Sequence, residues 1–284
     1  MKLYFTKMHG IGNDYVYVNC MQGQPADPNA LARLVSPRHF SVGSDGLILI
    51  CKSDVADAKM RMFNADGSEG KMCGNGIRCV GKYIYDYGLI ERLKTSVTIE
   101  TLSGIKQLFL NVNQNGVVDS VKVCMGKAAL QPHEIPVKAD SPMIHQPVLV
   151  NGETYFLTAV SMGNPHAVCF MDNIDTLNLE KLGPQFEHLS IFPERVNTEF
   201  VTIIDQTHLQ MRVWERGSGE TYACGTGACA TVVAAVLNGY CTYGAEITVD
   251  LIGGSLRVIY DKDGTVYMTG PAQKVYDGVY EYEC

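Results

Sequence analysis

The sequence has no long apolar segment and no cluster of basic residues. No uninterrupted apolar run approaches the roughly 18 to 20 residues of a membrane helix, and the first residues lack the apolar region and cleavage site of a secretion signal. Lysines and arginines are scattered singly in a chain of net charge −7, which argues against a nucleic-acid or membrane partner. These absences predict a cytoplasmic protein whose partner is a small molecule.

Motifs of the common metal and cofactor sites are also missing. The ten cysteines include no Cys-x-x-Cys pair, and no second ligand pair follows at the spacing of a zinc ribbon. No glycine-rich loop has the dinucleotide or P-loop pattern, and no lysine stands in a setting that suggests pyridoxal phosphate. We therefore expect neither metal nor cofactor, and thiols kept reduced in the cytoplasm.

The chain instead contains an internal repeat at an offset of 151 residues. Between residues 60 and 76, six of seventeen positions are identical to those 151 further on, where average residue usage predicts roughly one. A small deletion then shifts the register, and prolines at 132, 136, 142 and 147 mark the passage between the halves. Both halves have the pattern strands, helix, strands, which predicts two related domains around a pseudo-twofold axis.

Local patterns predict the elements within each half. Apolar residues at helical spacing predict a helix over residues 76–87, with Gly88 as its C-cap. A short helix is predicted over residues 29–34. Runs typical of strands cover residues 3–8, 15–19, 47–50, 60–63, 96–102, 105–112 and 117–123.

Two short stretches stand at the starts of the long predicted helices. Residues 73–76 are Cys-Gly-Asn-Gly and residues 224–227 are Cys-Gly-Thr-Gly. The unpaired amides and positive dipole of a helix N-terminus stabilise a thiolate and lower its pKa, and the glycines admit an anion to those amides. For one copy alone, a buried and inert cysteine would explain the motif equally well. Two copies at one offset favour two thiols facing each other across a cleft between the domains.

Two opposed thiols suit a reaction that is itself mirror-symmetric. One thiolate removes a proton from one face of a carbon while a thiol delivers a proton to the other face, which is racemisation or epimerisation. Backbone N–H groups at the two helix ends would stabilise the charge that develops on the substrate carboxylate. This chemistry requires no cofactor.

The motifs as a set resemble diaminopimelate epimerase. They are residues 10–14 (Gly-Ile-Gly-Asn-Asp), 63–69 (Phe-Asn-Ala-Asp-Gly-Ser-Glu), 72–79, 163–166 (Gly-Asn-Pro-His), 195–197 (Arg-Val-Asn), and 214–217 with 224–227. The resemblance implies an α+β fold of two pseudo-symmetric domains, each a mainly antiparallel sheet wrapped around a central helix. We expect residues 1–125 with 275–284 in the first domain, 126–274 in the second, and a homodimer. It also implies interconversion of LL- and meso-diaminopimelate in lysine and cell-wall precursor synthesis.

The resemblance assigns roles position by position. Cys73 and Cys224 match the acid and base, and His166 a supporting residue. Substrate-binding positions are matched by Asn13, Asn64, Gly74, Asn75, Asn164, Asn197, Glu215, Arg216, Gly225 and Thr226. The other eight cysteines, Cys284 included, are expected to be packing or surface residues. One departure is Gly46, where some members carry a glutamine, and the Ser44 hydroxyl is a candidate replacement.

Several alternatives remain open at the level of sequence. Asn13 and Asn164 follow glycine and fit turn residues, the pair Glu215 and Arg216 fits a surface ion pair, and His166 fits a loop hydrogen bond. A proline-racemase-like enzyme would use the same pair of thiols, but Arg216 and Asn64 argue against it because its small ring substrate has no distal carboxylate to bind. A binding protein or a thiol redox sensor is the rival from another functional class.

Overall fold

The computed structural model describes residues 1–282 and divides into two units. Unit 1 contains Met1–Val123 and the segment from Thr269 onward, and unit 2 contains Cys124–Met268. Cys284 lies outside the described residues. Each unit combines strands with two helices, so the predicted α+β class is confirmed.

Unit 1 holds the first eight strands and two helices. They are β1 (Lys2–Gly10), β2 (Asn13–Cys20), α1 (Pro28–Val35), β3 (Gly46–Cys51), β4 (Ala58–Asn64), β5 (Glu69–Gly70), α2 (Gly74–Asp86), β6 (Ser96–Thr101), β7 (Gly104–Val112) and β8 (Val118–Lys127), in which the chain passes to unit 2. Most neighbouring strands pair antiparallel, whereas β2 with β3 and β4 with β6 are parallel.

Unit 2 repeats this order. After a 3-10 turn at Pro132–Glu134 come β9 (Gln146–Val150), β10 (Glu153–Ser161), β11 (Pro165–Phe170), α3 (Leu179–Glu187), β12 (Asn197–Asp205), β13 (His208–Glu215), β14 (Gly219–Glu220), α4 (Gly225–Leu237), β15 (Glu246–Leu251), β16 (Gly254–Tyr260) and β17 (Thr265–Pro271). The last strand, β18 (Gln273–Glu281), belongs to unit 1 and pairs antiparallel with β1.

The offset of 151 residues relates the elements as well as the motifs. It maps β1 onto β10 and α2 onto α4 at both ends, and it maps the first residue of α1 onto that of α3. Beyond the helices the offset becomes 150, which maps β6 onto β15. The parallel pairs recur too, as β11 with β12 and β13 with β15. The predicted repeat is therefore confirmed, including the small deletion.

A buried helix lies at the centre of each unit. Helix α2 packs against β1, β2, β4, β6 and β7, and α4 packs against the corresponding strands of unit 2 and also against β12. Nearly every residue of either helix is buried, and α2 buries two charged side chains, Arg78 and Lys82, among its apolar residues. Both helices end with a glycine at positive φ, Gly88 and Gly239, which terminates a helix without strain. No helix within residues 1–282 is long and apolar enough to span a bilayer.

An arginine and a glutamate that are identical in the two halves of the repeat hold together the hairpin that precedes each central helix. Arg61 forms a two-pronged pair with Glu69, at 2.8 and 2.9 Å, across the short hairpin of β4 and β5. Arg212 forms the same pair with Glu220, at 2.7 and 3.0 Å, across β13 and β14. Such planar pairs fix geometry as well as charge. Each hairpin leads directly to the cysteine that begins the next helix.

Candidate active site

Cys73 is the N-cap residue of α2. Its backbone is extended, and its Sγ accepts a hydrogen bond from the amide of Gly76 at 3.3 Å. A sulfur here takes the place of the oxygen that usually satisfies a free amide in the first helical turn. A Cβ at Gly76 would lie 2.6 Å from Cδ1 of Ile48, so a larger residue here would displace the end of that side chain. The thiol is thus held where the helix dipole favours negative charge.

A polar network extends from Cys73 to a charged cluster. Sγ of Cys73 donates to Oδ1 of Asn13 at 3.2 Å, and Nδ2 of Asn13 donates to Oδ2 of Asp45 at 2.7 Å. Arg38 donates to Asp45 and, through two nitrogens, to Asp14. Because the Asp45 carboxylate can only accept, it turns the oxygen of Asn13 toward the thiol.

Cys224 repeats the capping geometry at the start of α4. Its Sγ accepts from the amide of Gly227 at 3.4 Å and lies 3.5 Å from Oγ1 of Thr226. The side chain is almost fully buried, with 5% of its surface exposed. Both thiols therefore occupy the same position relative to a helix N-terminus, each in its own unit.

A hydrogen-bonded chain leads from Cys224 into the core of unit 2. Oγ1 of Thr226 accepts from Nδ2 of Asn164 at 3.3 Å, and Oδ1 of Asn164 lies 3.1 Å from Nε2 of His166. Nδ1 of His166 is 2.7 Å from Oε1 of Glu199, and both of these side chains are fully buried. The histidine is therefore part of a buried network rather than a loop contact.

The surroundings raise the pKa of both thiols. Burial raises the pKa of Cys73, against the amides of Gly76 and Asn75 and the hydroxyl of Tyr15, which lower it. The amides of the helix N-terminus do lower the thiol pKa, as expected. Removal of the thiol from water raises the pKa by more, so the predicted lowering is wrong in both units.

The two thiols differ in how strongly they are perturbed. Burial raises the pKa of Cys224 well above its ordinary value, and the nearby carboxylates of Glu215 and Glu199 raise it further. The hydroxyl of Thr226 and the amide of Gly227 oppose this shift. No carboxylate is among the main causes of the shift of Cys73. Cys73 is accordingly the thiol that ionises more readily.

Glu215 is tied to the Cys224 side of the site. Its Oε1 accepts from the hydroxyl of Thr221 at 2.5 Å, and a hydrogen bond with Cys224 partly offsets the rise that burial causes in the pKa of this carboxyl. The alternative of a surface ion pair with Arg216 does not fit these contacts, because Arg216 donates to the carbonyl of Glu194.

The remaining predicted residues lie in two settings. Gly74, Asn75 and Gly225 stand in the first turns of α2 and α4. Asn64 lies in the exposed turn after β4 and donates to Ser68 at 3.0 Å. Asn197 is buried, donates to the carbonyl of Pro165 and accepts from the amide of Arg216, so its side chain fixes two loops.

Gly46 has a packing explanation. A Cβ on this residue would lie 2.0 Å from the carbonyl oxygen of Phe63 on the neighbouring strand, so a glutamine requires a shift of the backbone. The hydroxyl of Ser44 donates to the carbonyl of Gly46 at 2.9 Å. Ser44 is thus engaged with the backbone rather than presented as a replacement contact.

Sequence reasoning missed three residues beside the thiols: Tyr15, Asp45 and Glu199. Two of them could have been found from the repeat, because the offset of 151 residues aligns Tyr15 with His166 and Glu199 with Ile48. In each of these pairs the two halves of the chain carry side chains of different chemistry. Within residues 1–282 no group of three or more His, Cys, Asp or Glu side chains is arranged to bind a metal ion.

Comparisons with known proteins find related sequences over nearly the whole chain. The family model described as diaminopimelate epimerase matches residues 5–131 and 158–275. A diaminopimelate epimerase of Acetivibrio thermocellus is 55% identical over 276 residues, covering 96% of this chain and 97% of the relative. One of Bacillus cytotoxicus is 52% identical over 283 residues, covering 98% and 97%.

Solved structures share the fold at lower identity. A phenazine biosynthesis protein of Bacillus anthracis aligns with a TM-score of 0.73 and 19% identity, over 99% of this chain and 100% of its own. A hydroxyproline epimerase of Agrobacterium vitis aligns with a TM-score of 0.73 and 15% identity, over 98% and 92%. The two structures support the fold, whereas the family model and the close relatives identify the group. The chain therefore belongs to the diaminopimelate epimerase family and is an isomerase.

Proposed function

We propose that the chain interconverts LL- and meso-diaminopimelate by a two-base mechanism that uses Cys73 and Cys224. The observation that carries the proposal is the shared geometry of the two thiols, each of which caps the N-terminus of a buried helix. One thiolate takes the proton from the α-carbon and becomes a thiol, while the other thiol gives its proton to the opposite face and becomes a thiolate. The cycle ends with the two roles exchanged.

The order of the steps follows from the surroundings of the two sulfurs. Cys73 lies beside amides and a hydroxyl that lower its pKa, whereas Cys224 lies beside two carboxylates that raise its pKa. Since the pKa of Cys224 is raised further than that of Cys73, we infer that Cys73 is the one of the two thiols that ionises first. The titrations of such a pair are coupled, so the apparent pKa values belong to the pair.

The helix ends supply the stabilisation that the carbanion requires. The backbone N–H groups of Gly74 and Asn75, and of Gly225 and Thr226, lie in the first turns of α2 and α4, at the positive ends of the two helix dipoles. We infer that they hold the reacting carboxylate and the negative charge that develops on it. No cofactor is needed for this step. Asn13, Asn64, Asn164, Asn197, Glu215 and Arg216 are the proposed contacts to the rest of the substrate.

Turnover of LL-diaminopimelate in heavy water tests the mechanism. We expect the wild type to incorporate solvent deuterium at the α-carbon and Cys73→Ser and Cys224→Ser to lose at least roughly a hundredfold in rate, since each removes one of the two proton carriers. Cys79→Ala, a buried thiol on α2, is the matched control and should retain activity. Wild-type rates in both serine variants, or product without deuterium, would contradict the proposal. Proline in the same assay tests the racemase alternative.

We also infer a reducing, cytoplasmic location and a homodimer. Nine described cysteines are free thiols, which suits a reducing compartment. Tyr4 on β1 and Val279 on β18 face each other in the register and remain largely exposed, as does Tyr276, and exposed apolar side chains on adjoining strands are typical of subunit contacts. Light scattering behind size-exclusion chromatography measures the oligomeric state.

A further inference from the structure

Glu199 has no role so far in holding the substrate or in carrying a proton to or from it. It lies on β12 with no exposed surface, and its Oε1 is 2.7 Å from Nδ1 of His166. A Cβ placed on Gly227 would lie 2.7 Å from the same oxygen, so the carboxylate sits beneath the first turn of α4. Its Oε2 is buried and has no hydrogen-bond partner in the described part of the chain. Burial of an acid with one oxygen unpaired costs free energy.

The repeat supplies an internal comparison for this position. The offset places Ile48 of unit 1 where Glu199 stands in unit 2. Cδ1 of Ile48 lies 2.6 Å from a Cβ placed on Gly76, just as Glu199 lies beneath Gly227. The same niche under a helix N-terminus therefore holds an aliphatic side chain in one unit and a carboxylate in the other. The architecture of the repeat does not require an acid at this point.

The hydrogen bonds from Glu199 to Cys224 have a defined direction. Oδ1 of Asn164 has no proton to give, so Nε2 of His166 carries one and donates it. Nδ2 of Asn164 then faces Thr226 and donates to its Oγ1, which leaves the hydroxyl proton of Thr226 available to Sγ of Cys224. One further proton lies between Nδ1 of His166 and Oε1 of Glu199, so the pair has no net charge whichever atom holds that proton.

We propose that Glu199 is a positioning residue which, by sharing a proton with Nδ1 of His166, keeps Nε2 protonated and so directs the Thr226 hydroxyl toward Sγ of Cys224. The inference rests on the proposed function, in which Cys224 becomes a thiolate in each cycle. A directed hydroxyl stabilises that thiolate. A glutamine at position 199 can donate to Nδ1 or accept from it, so the direction of the chain is no longer determined.

A double-mutant cycle read at Cys224 tests this role. In a Cys73→Ser background, the rate of Cys224 alkylation by iodoacetamide is measured by peptide mass spectrometry from about pH 7 to about pH 10, because only the thiolate reacts. Thr226→Val should slow alkylation about tenfold at about pH 8. Glu199→Gln should slow it roughly threefold, because removal of a carboxylate that raises the pKa of Cys224 partly offsets the loss of the directed hydroxyl. The double variant should be no slower than Thr226→Val alone, since both changes remove one donor.

Other outcomes would overturn the proposal. If Glu199→Gln changes the rate by the same factor with and without Thr226→Val, the residue acts through packing or charge alone. An unchanged rate in Glu199→Gln rejects it too. Should that variant fail to fold, Asn164→Asp tests the chain from the middle. Its two oxygens accept from both neighbours and draw the Thr226 proton away, so alkylation should slow, again with no added effect in the Thr226→Val protein.

A matched control and an independent readout complete the design. Ile48→Val alters the equivalent niche of unit 1 and should leave the alkylation profile of Cys224 unchanged. Alkylation does not require turnover, so the two proposals fail separately. Coupling between positions 199 and 226 without deuterium incorporation would reject the epimerase function and retain the positioning role, and incorporation without coupling would do the reverse.

Discussion

Replacing Arg212 by methionine should destabilise the protein much more than the equivalent change at Arg61. Both arginines form a two-pronged pair with a glutamate across a short hairpin. Arg212 also donates through Nη1 to the carbonyls of Ile174 and Leu177, at 2.7 and 2.9 Å. Nη1 of Arg61 donates instead to the side chain of Gln24, which is exposed.

The magnitudes follow from what each substitution leaves behind. Arg212→Met removes the partner of Glu220 and the donor to two backbone carbonyls, one of them at a buried residue. A hydrogen bond to a charged group contributes about 1.5 to 3 kcal/mol, and an orphaned buried acceptor costs about 1 kcal/mol or more. We therefore expect a loss of about 3 to 4 kcal/mol. For Arg61→Met the freed groups return to water, and we expect about 1 kcal/mol.

Urea unfolding followed by circular dichroism measures the difference. The free energy of unfolding of each variant is compared with that of the wild type at equal denaturant slope. Arg212→Lys, which keeps the charge but not the planar fork, should fall between wild type and Arg212→Met. Equal losses for the Arg61 and Arg212 variants, or a loss below about 1 kcal/mol for Arg212→Met, would refute the assignment of the extra stability to the two carbonyls.

Two further predictions concern unit 1. Cys73→Ala should lower the free energy of unfolding by about 1 kcal/mol relative to Cys73→Ser, because only serine can still accept from the amide of Gly76, and urea titration of the two inactive variants checks this. Although burial opposes the shift, hydrogen bonds from Lys274 and Tyr87, among others, lower the pKa of Asp277 to about 2. A depressed pKa stabilises the fold at pH values above the ordinary value of 3.8, and this contribution is lost as the pH falls toward about 2. The ion pair is half-exposed and screened by solvent, so we expect Asp277→Asn to lower the free energy of unfolding by about 1 kcal/mol at neutral pH. Near pH 2 the substitution should have no effect. A cost that persists at pH 2 would contradict the charge-based explanation.

The thiols illustrate the limit of inference from local pattern. Residues 73 and 224 follow directly from the Cys-Gly motifs, and the structure places both as N-caps. The direction of their pKa shifts was predicted incorrectly, because the helix dipole is a local property whereas desolvation depends on everything packed around the sulfur. Cys224 differs from Cys73 through Glu215 and Glu199, which lie 9 and 25 residues away from it along the chain.

By itself the sequence determined the repeat, the order of its elements and the two capping cysteines, because helical periodicity, turn residues and a constant offset are carried by neighbouring positions. The helix predicted over residues 76–87 is α2 at Gly74–Asp86, and the one predicted over 29–34 is α1 at Pro28–Val35. Only the tertiary structure decided which polar groups meet. Asp45 contacts Asn13 from a loop, and Glu199 contacts His166 through the parallel pairing of β11 with β12. Both contacts join segments that are distant along the chain, so the burial of these groups and the direction of their hydrogen bonds depend on packing that no local pattern encodes.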